Sequence, residues 1–195
     1  LDEGPRDAPA IVFSNSMFFD VTMFEKQAAA FADNYRVVRY DHRGQGGSAK
    51  APRDKLDMDT LADDTAALIE ALGLQKCCFV GNSMGGFIAL RLAARRPDLI
   101  ASAVIMGSSA DAEVSVEAMD AVVEVIEQNG VSPVVEDVLY FMLGDTTLND
   151  PDRAATKQRV TKMLESRTPD YAHSVWNIAH RSPVTDELAN IGVPV

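Results

Sequence analysis

Ser83 has the clearest chemical setting in this sequence. It lies at the centre of Gly81-Asn82-Ser83-Met84-Gly85, with Phe79 and Val80 before it and Gly86 and Phe87 after it. A serine hydroxyl attacks a carbonyl effectively only when it projects into a crevice and donors await the oxyanion that forms. A buried strand that turns sharply at the serine into a helix provides both. Such a turn strains the serine backbone and packs strand on helix so closely that side chains at Gly81 and Gly85 would clash. The helix start aims free N–H groups and its positive dipole end at the site. The apolar stretch from Cys77 to Val80 and the apolar helix pattern after Gly86 supply that context. Helix capping is a common use of serine at such a boundary, but it leaves the two glycines unexplained. Ser83 therefore reads as a nucleophile.

The elements that must hold it alternate along the chain. Ala10–Ser14 reads as a short buried strand and 24–32 as a helix. The alternating, β-rich stretch 35–41 is a second strand, followed by a Gly/Pro/Ser loop through Asp54. A helix capped by Asp57 or Asp59 runs to Leu72, with Leu61, Leu68 and Leu72 on one face and Gly73 as its stop. Lys76–Gly81 is the third strand, the helix after Ser83 ends before Pro97, and 100–107 is the fourth strand. Strand–helix alternation of this kind predicts an α/β fold with a mostly parallel sheet. From Val114 to Leu188 the periodicity is helical only, with helices expected at 116–128, 134–143, 152–166 and 171–179. The expected organisation is a first core part over 1–110, an all-helical cap over 111–190, and the start of a returning core strand over 191–195.

Three separate stretches resemble the α/β-hydrolase superfamily. Gly81–Gly86 is similar to its nucleophile elbow, and Tyr35–Ser48 to the strand and loop that precede it. Ile11–Phe24 resembles the oxyanion-loop segment, in the form found in 3-oxoadipate enol-lactonases and related esterases, where Asn15-Ser16 stands in place of the more common His-Gly. The resemblance implies that Ser83 is the nucleophile and that the backbone N–H groups of Met84 and Met17 are the oxyanion donors. Asn15, Ser16, Phe18, Tyr140 and Trp176 would contact substrate. Met119, Phe141 and Met142 are further candidate lining residues, although helical apolar spacing more often means core packing. Family order places the triad acid and then the histidine after the cap, one strand apart. By that order both would follow Val195, and the chain is expected to be an internal portion of a longer enzyme.

The remaining chemistry-bearing residues have plainer readings. His42 lies in a tight loop fixed by Asp41 and Arg43, and His173 and His180 in the last cap helix, of which His180 is the better outside choice for a base. Asp111 is expected to cap the helix after it. The histidines lack metal-ligand spacing, and Gln45-Gly46-Gly47 lacks a phosphate-loop pattern, so neither metal nor cofactor is implied. Cys77 and Cys78 are adjacent on a strand and point to opposite faces, which argues against a disulfide. With 18 basic and 29 acidic residues the net charge is −11, unlike nucleic-acid or anionic-membrane binders. Cytoplasmic is the default compartment, and oligomeric state is not indicated. The expected activity is hydrolysis of a small ester or lactone through an acyl-enzyme. The alternatives are a carbon–carbon bond hydrolase acting on ring-fission products, or a catalytically incomplete fragment or binding module.

Overall fold

Successive residues of a strand face opposite sides of a sheet, and this divides the apolar side chains between two layers. The computed structural model describes residues 1–195. Its sheet contains β1 (Asp2–Glu3), β2 (Ala10–Ser14), β3 (Arg36–Tyr40), β4 (Cys77–Asn82) and β5 (Ile100–Met106), in the order β1-β3-β2-β4-β5. The strands β2 to β5 are parallel, and β1 pairs antiparallel with β3 at one edge. Ile11 and Phe13 of β2 face α1 (Glu25–Phe31) and pack with Phe24, Ala28 and Val37. Val12 and Val38 point the other way, into a larger cluster with α2 (Met58–Ala71) and α3 (Met84–Arg95). Burial on both faces explains the nearly continuous apolar run of β4. Cys77 and Phe79 enter the larger cluster, while Cys78 and Val80 pack against the smaller one. The adjacent thiols are accordingly both free.

The four strands and the helices expected up to residue 179 are present, with ends displaced by no more than two residues. Asp57 is the cap of α2, its Oδ1 accepting from the Thr60 N–H at 2.8 Å, and Gly73 ends that helix at φ 62°. The buried face of α2 is centred on Leu61, Thr65, Ala66 and Ile69, with Leu68 and Leu72 at its margin. Asp59, the other candidate cap, instead accepts from Arg91 Nε at 2.6 Å and Arg95 Nη1 at 2.8 Å. Arg91 is buried and also donates to the Phe87 and Ser182 carbonyls. It thereby ties α2, α3 and the chain after the last helix into one register. Buried ion pairs add little net stability, because desolvation opposes attraction, but they penalise other arrangements.

No strand follows β5. The chain continues through α4 (Val116–Asn129), α5 (Val135–Met142), α6 (Asp145–Asn149), α7 (Ala154–Glu165) and α8 (Tyr171–Ala179). The short β1 and α6 fall below the length at which periodicity is readable. Val123, Ile126, Leu139, Leu164 and Val175 belong to the same hydrophobic cluster as α2 and α3, so the 111–190 segment shares its core with one face of the sheet. Residues 191–195 form no strand, although the Ala103 N–H of β5 donates to the Pro194 carbonyl at 2.9 Å. Asp111 does not cap α4. Its Oδ1 accepts from Thr185 Oγ1 at 3.1 Å, and Glu113 takes the Val114 and Ser115 amides before the helix. No helix is long and apolar enough to cross a membrane.

Helix α3 meets the sheet backbone to backbone. A Cβ added at Gly85 would lie 2.1 Å from the Ser14 carbonyl oxygen of β2. Backbone on both sides leaves nothing to rotate away. Gly85→Ala is expected to cost at least about 3 kcal/mol of unfolding free energy in a denaturant titration; a loss below about 1 kcal/mol would contradict this packing.

Candidate functional site

The turn from β4 to α3 is a single residue, Ser83, at φ 49° and ψ −112°. A non-glycine residue there carries strain of about 1–3 kcal/mol and persists only if its surroundings impose the geometry. Here they do. The Ser83 N–H donates to the Met106 carbonyl at 2.8 Å, and the Ser83 carbonyl accepts from Ser108 Oγ at 2.8 Å and from the Gly86 and Phe87 amides. A Cβ at Gly81 would meet the Gly85 carbonyl oxygen at 2.2 Å, so the strand end and the helix start touch through bare backbone. Ser83 occupies the N-cap position of α3, yet its side chain makes no capping bond. Its hydroxyl is free of protein partners, which removes the capping explanation for a serine here.

The segment after β2 is built against this elbow. Ser16 Oγ hydrogen bonds to the Asn82 side-chain oxygen, next to Ser83. Asn15 Nδ2 donates to the Phe19 carbonyl at 2.7 Å and closes the loop on itself. Phe18, at φ 69°, is held at both backbone groups: its N–H donates to Gln45 Oε1 at 3.1 Å and its carbonyl accepts from Arg167 Nε at 2.8 Å. Gln45 also donates to Met84 Sδ at 3.2 Å, joining the loop, the elbow and the Asp41–Ser48 turn. Asp41 fixes that turn by accepting the Val21 and Gly47 amides, whereas Arg43 reaches out to Asp64 on α2. The Met17 N–H donates to no protein acceptor. Met84 is the first residue of α3, so its N–H has no intrahelical acceptor either.

Ser83 opens onto a cavity of about 520 Å³. Met17, Phe18 and Phe87 line it on the sheet side, and Met119, Val122, Val138, Phe141 and Met142 on the helical side. Its polar wall consists of Ser108, Ser109, Ser115, Glu113, Asp137 and Arg181. Of the residues expected to contact substrate, Phe18 lies on this wall. Asn15 and Ser16 do not; they are buried, with Asn15 Nδ2 bonded to the Phe19 carbonyl and Ser16 Oγ to Asn82, while Asn15 Oδ1 has no partner. Tyr140 is 76 % exposed, because helical rotation turns it away while its neighbour Phe141 borders the cavity. Trp176 is held between the Arg53 guanidinium, 5.1 Å from its ring, and the stacked His180 ring at 4.3 Å.

No histidine lies on the cavity wall. His42 is buried, and its Nε2 donates to the Asn15 carbonyl at 3.1 Å. Burial pushes its pKa down to about 4, so it is neutral at physiological pH. His180 meets Asp120 at 2.9 Å, and His173 lies on α8 with a buried Nδ1. No group of three or more His, Cys, Asp or Glu side chains is gathered for a metal.

Comparison with known proteins agrees with this geometry. The family model described as alpha/beta hydrolase fold matches residues 9–185. The chain belongs to the α/β-hydrolase family. It is 32 % identical over 191 residues to 3-oxoadipate enol-lactonase 1 of Acinetobacter baylyi, covering 98 % of this chain and 70 % of that protein. The enol-lactonase from Burkholderia xenovorans LB400 superposes with a TM-score of 0.88 at 27 % identity, covering 100 % of this chain and 74 % of that one. A thermophilic esterase from Thermogutta terrifontis gives 0.89 at 25 % identity, covering 100 % and 71 %.

Four residues of this hydrolase site carried little signal in the sequence. Gln45 sits in a stretch that reads as turn chemistry, and Phe87 as one more apolar helix residue. Glu113 and Arg181 are 68 residues apart and meet only in three dimensions. Their one local sign is that each is a charged residue beside an apolar helix end. The strain at Ser83 gives a direct test. Ser83→Gly is expected to raise the unfolding free energy by about 1 kcal/mol, since glycine adopts φ 49° freely; a loss of stability in denaturant titration would contradict the strained elbow.

Proposed function

We propose that the protein hydrolyses a carboxylic ester or lactone through an acyl-enzyme on Ser83. The observation that carries this reading is a serine at φ 49° whose hydroxyl lacks any protein partner and opens onto a largely apolar cavity. In this reading Ser83 Oγ attacks the substrate carbonyl carbon, and the carbonyl oxygen becomes an oxyanion. The N–H groups of Met17 and Met84, neither taken up by the fold, hold that oxyanion. One such donor typically contributes about 3 kcal/mol to the transition state. Collapse of the tetrahedral intermediate expels the alkoxide, which leaves as an alcohol; from a lactone it stays attached to the acyl group. Water then releases the acid from Ser83.

The proton of Ser83 needs a base, and none of His42, His173 and His180 is on the cavity wall. Helices α4–α8 serve as a cap over a core formed by residues 1–110, and their apolar wall sets the size of the acyl or ring portion. The likeness to enol-lactonases and an esterase supports the ester and lactone class. The reaction as written uses no metal or organic cofactor.

In the full-length enzyme, Ser83→Ala should lower kcat/KM for a simple aryl ester or lactone by at least about a thousandfold with folding retained. Turnover within a few-fold of wild type would overturn the assignment.

A further inference from the structure

The loop that carries the Met17 amide is strained, like the elbow it faces. The Phe19 N–H donates to the Ser16 carbonyl at 3.2 Å, which closes a tight turn with Met17 and Phe18 at its centre. Phe18 takes φ 69° and Met17 does not take a positive φ. A positive φ at the third residue alone marks a type II turn, and that position favours glycine. A buried phenylalanine stays there only while its surroundings impose the geometry. Released, it would relax to negative φ, rotating the Met17–Phe18 peptide and moving the turn.

Much of the restraint comes from the segment after α7. Arg167 Nε donates to the Phe18 carbonyl at 2.8 Å, and its Nη2 donates to Asp20 Oδ2 at 2.9 Å. The Arg167 guanidinium lies 5.4 Å from the centroid of the Tyr171 ring, and that ring stacks on Phe18 at 6.0 Å. Tyr171 Oη accepts from the Gly46 N–H at 3.0 Å, beside Gln45, whose Oε1 takes the Phe18 N–H. Arg167 is itself held, its N–H donating to the Leu164 carbonyl at 3.0 Å and its carbonyl accepting from Val131 at 3.3 Å. Its side chain is 12 % exposed and does not line the cavity beside Ser83.

We propose that Arg167 is a positioning residue for the hydrolysis: by holding the Phe18 carbonyl it keeps the strained turn in the form that aims the Met17 amide at the oxyanion. The helical segment then sets the geometry of an oxyanion donor as well as the size of the chamber. Without this contact Phe18 relaxes, the Met17 amide leaves its place, and the Met84 amide is left to hold the oxyanion. The loss falls on the transition state, where that charge develops, rather than on binding of the neutral carbonyl. The proposal rests on the Ser83 hydrolase reading and adds one residue to it.

The test measures kcat and KM for p-nitrophenyl acetate on the full-length enzyme. Arg167→Met keeps an unbranched stem and removes the donors. It should lower kcat by at least about tenfold with KM within about twofold of wild type. Lys50→Ala removes another tie to the same segment, the 2.7 Å pair with Asp170, without touching the turn. It should leave kcat within about twofold of wild type. Glycine at position 18 adopts φ 69° without strain, so positioning and packing can be separated. In a Phe18→Gly background, Arg167→Met should lower kcat by no more than about threefold. If Arg167→Met does not fold, Arg167→Lys replaces it; one ammonium lacks the fork that reaches both the Phe18 carbonyl and Asp20, and kcat should fall about fivefold. An unchanged kcat, a change in KM alone, an equal loss from Lys50→Ala, or the same loss in both backgrounds would overturn the proposal. Failure of the hydrolase reading looks different: turnover would then survive Ser83→Ala.

Discussion

The close approach of α3 to the sheet is the constraint on which the site depends. Helix and strand meet at Gly81 and Gly85 with no side chain between them, and the carbonyl of Ser14 fills the space a Cβ would need. A chain that must turn within one residue at such short range has few backbone solutions. Ser83 takes one that is unfavourable for an L-residue, and bonds from Met106, Ser108, Gly86 and Phe87 hold it there. Such strain is maintained by the stability of the whole domain and cannot be read from one local contact. The large cluster under α2, α3, α4 and α8 supplies that stability, with Arg91 fixing the helices in register.

From that constraint the other features follow in order. Because β2 lies next to β4, the loop leaving β2 emerges beside the elbow, with Ser14 paired in register to Gly81. The Ser16–Asn82 bond and the Gln45 bridge then fix the backbone of Met17 and Phe18 at the cavity. Asn15 Nδ2 and Ser16 Oγ help hold the loop, while the backbone amide of Met17 has no protein acceptor. The helices after β5 supply the facing wall of an apolar chamber, with Glu113, Arg181 and Asp137 among its lining residues.

Much of this was legible in the sequence for identifiable physical reasons. Strands buried on both faces leave unbroken apolar runs, as at Cys77–Val80, and helices of a dozen residues leave a full apolar stripe, as in α2. The elbow was legible because its glycines have no alternative use. Residue-level roles at the site were less so. Sequence gives a side chain's type but not its rotation, so Tyr140 and Phe141 look equivalent until α5 is docked, and only Phe141 borders the cavity. Asn15 and Ser16 look like substrate contacts because they are polar and lie beside the site. The loop itself needs those polar groups. Asp111 looked like a cap, yet Thr185 claims it across 74 residues of sequence. Glu113 and Arg181 were hidden for the same reason, since a contact of that separation leaves no local pattern.

The account stands most directly on the reactivity of one hydroxyl. Treating the full-length enzyme with a fluorophosphonate and locating the adduct by peptide mass spectrometry measures it, because modification requires an activated serine rather than an exposed one. The expected result is a single phosphonyl group per chain on Ser83, lost when the protein is denatured before labelling. Labelling of another residue, or none at Ser83 in the folded enzyme, would contradict the reading of this elbow as the seat of catalysis.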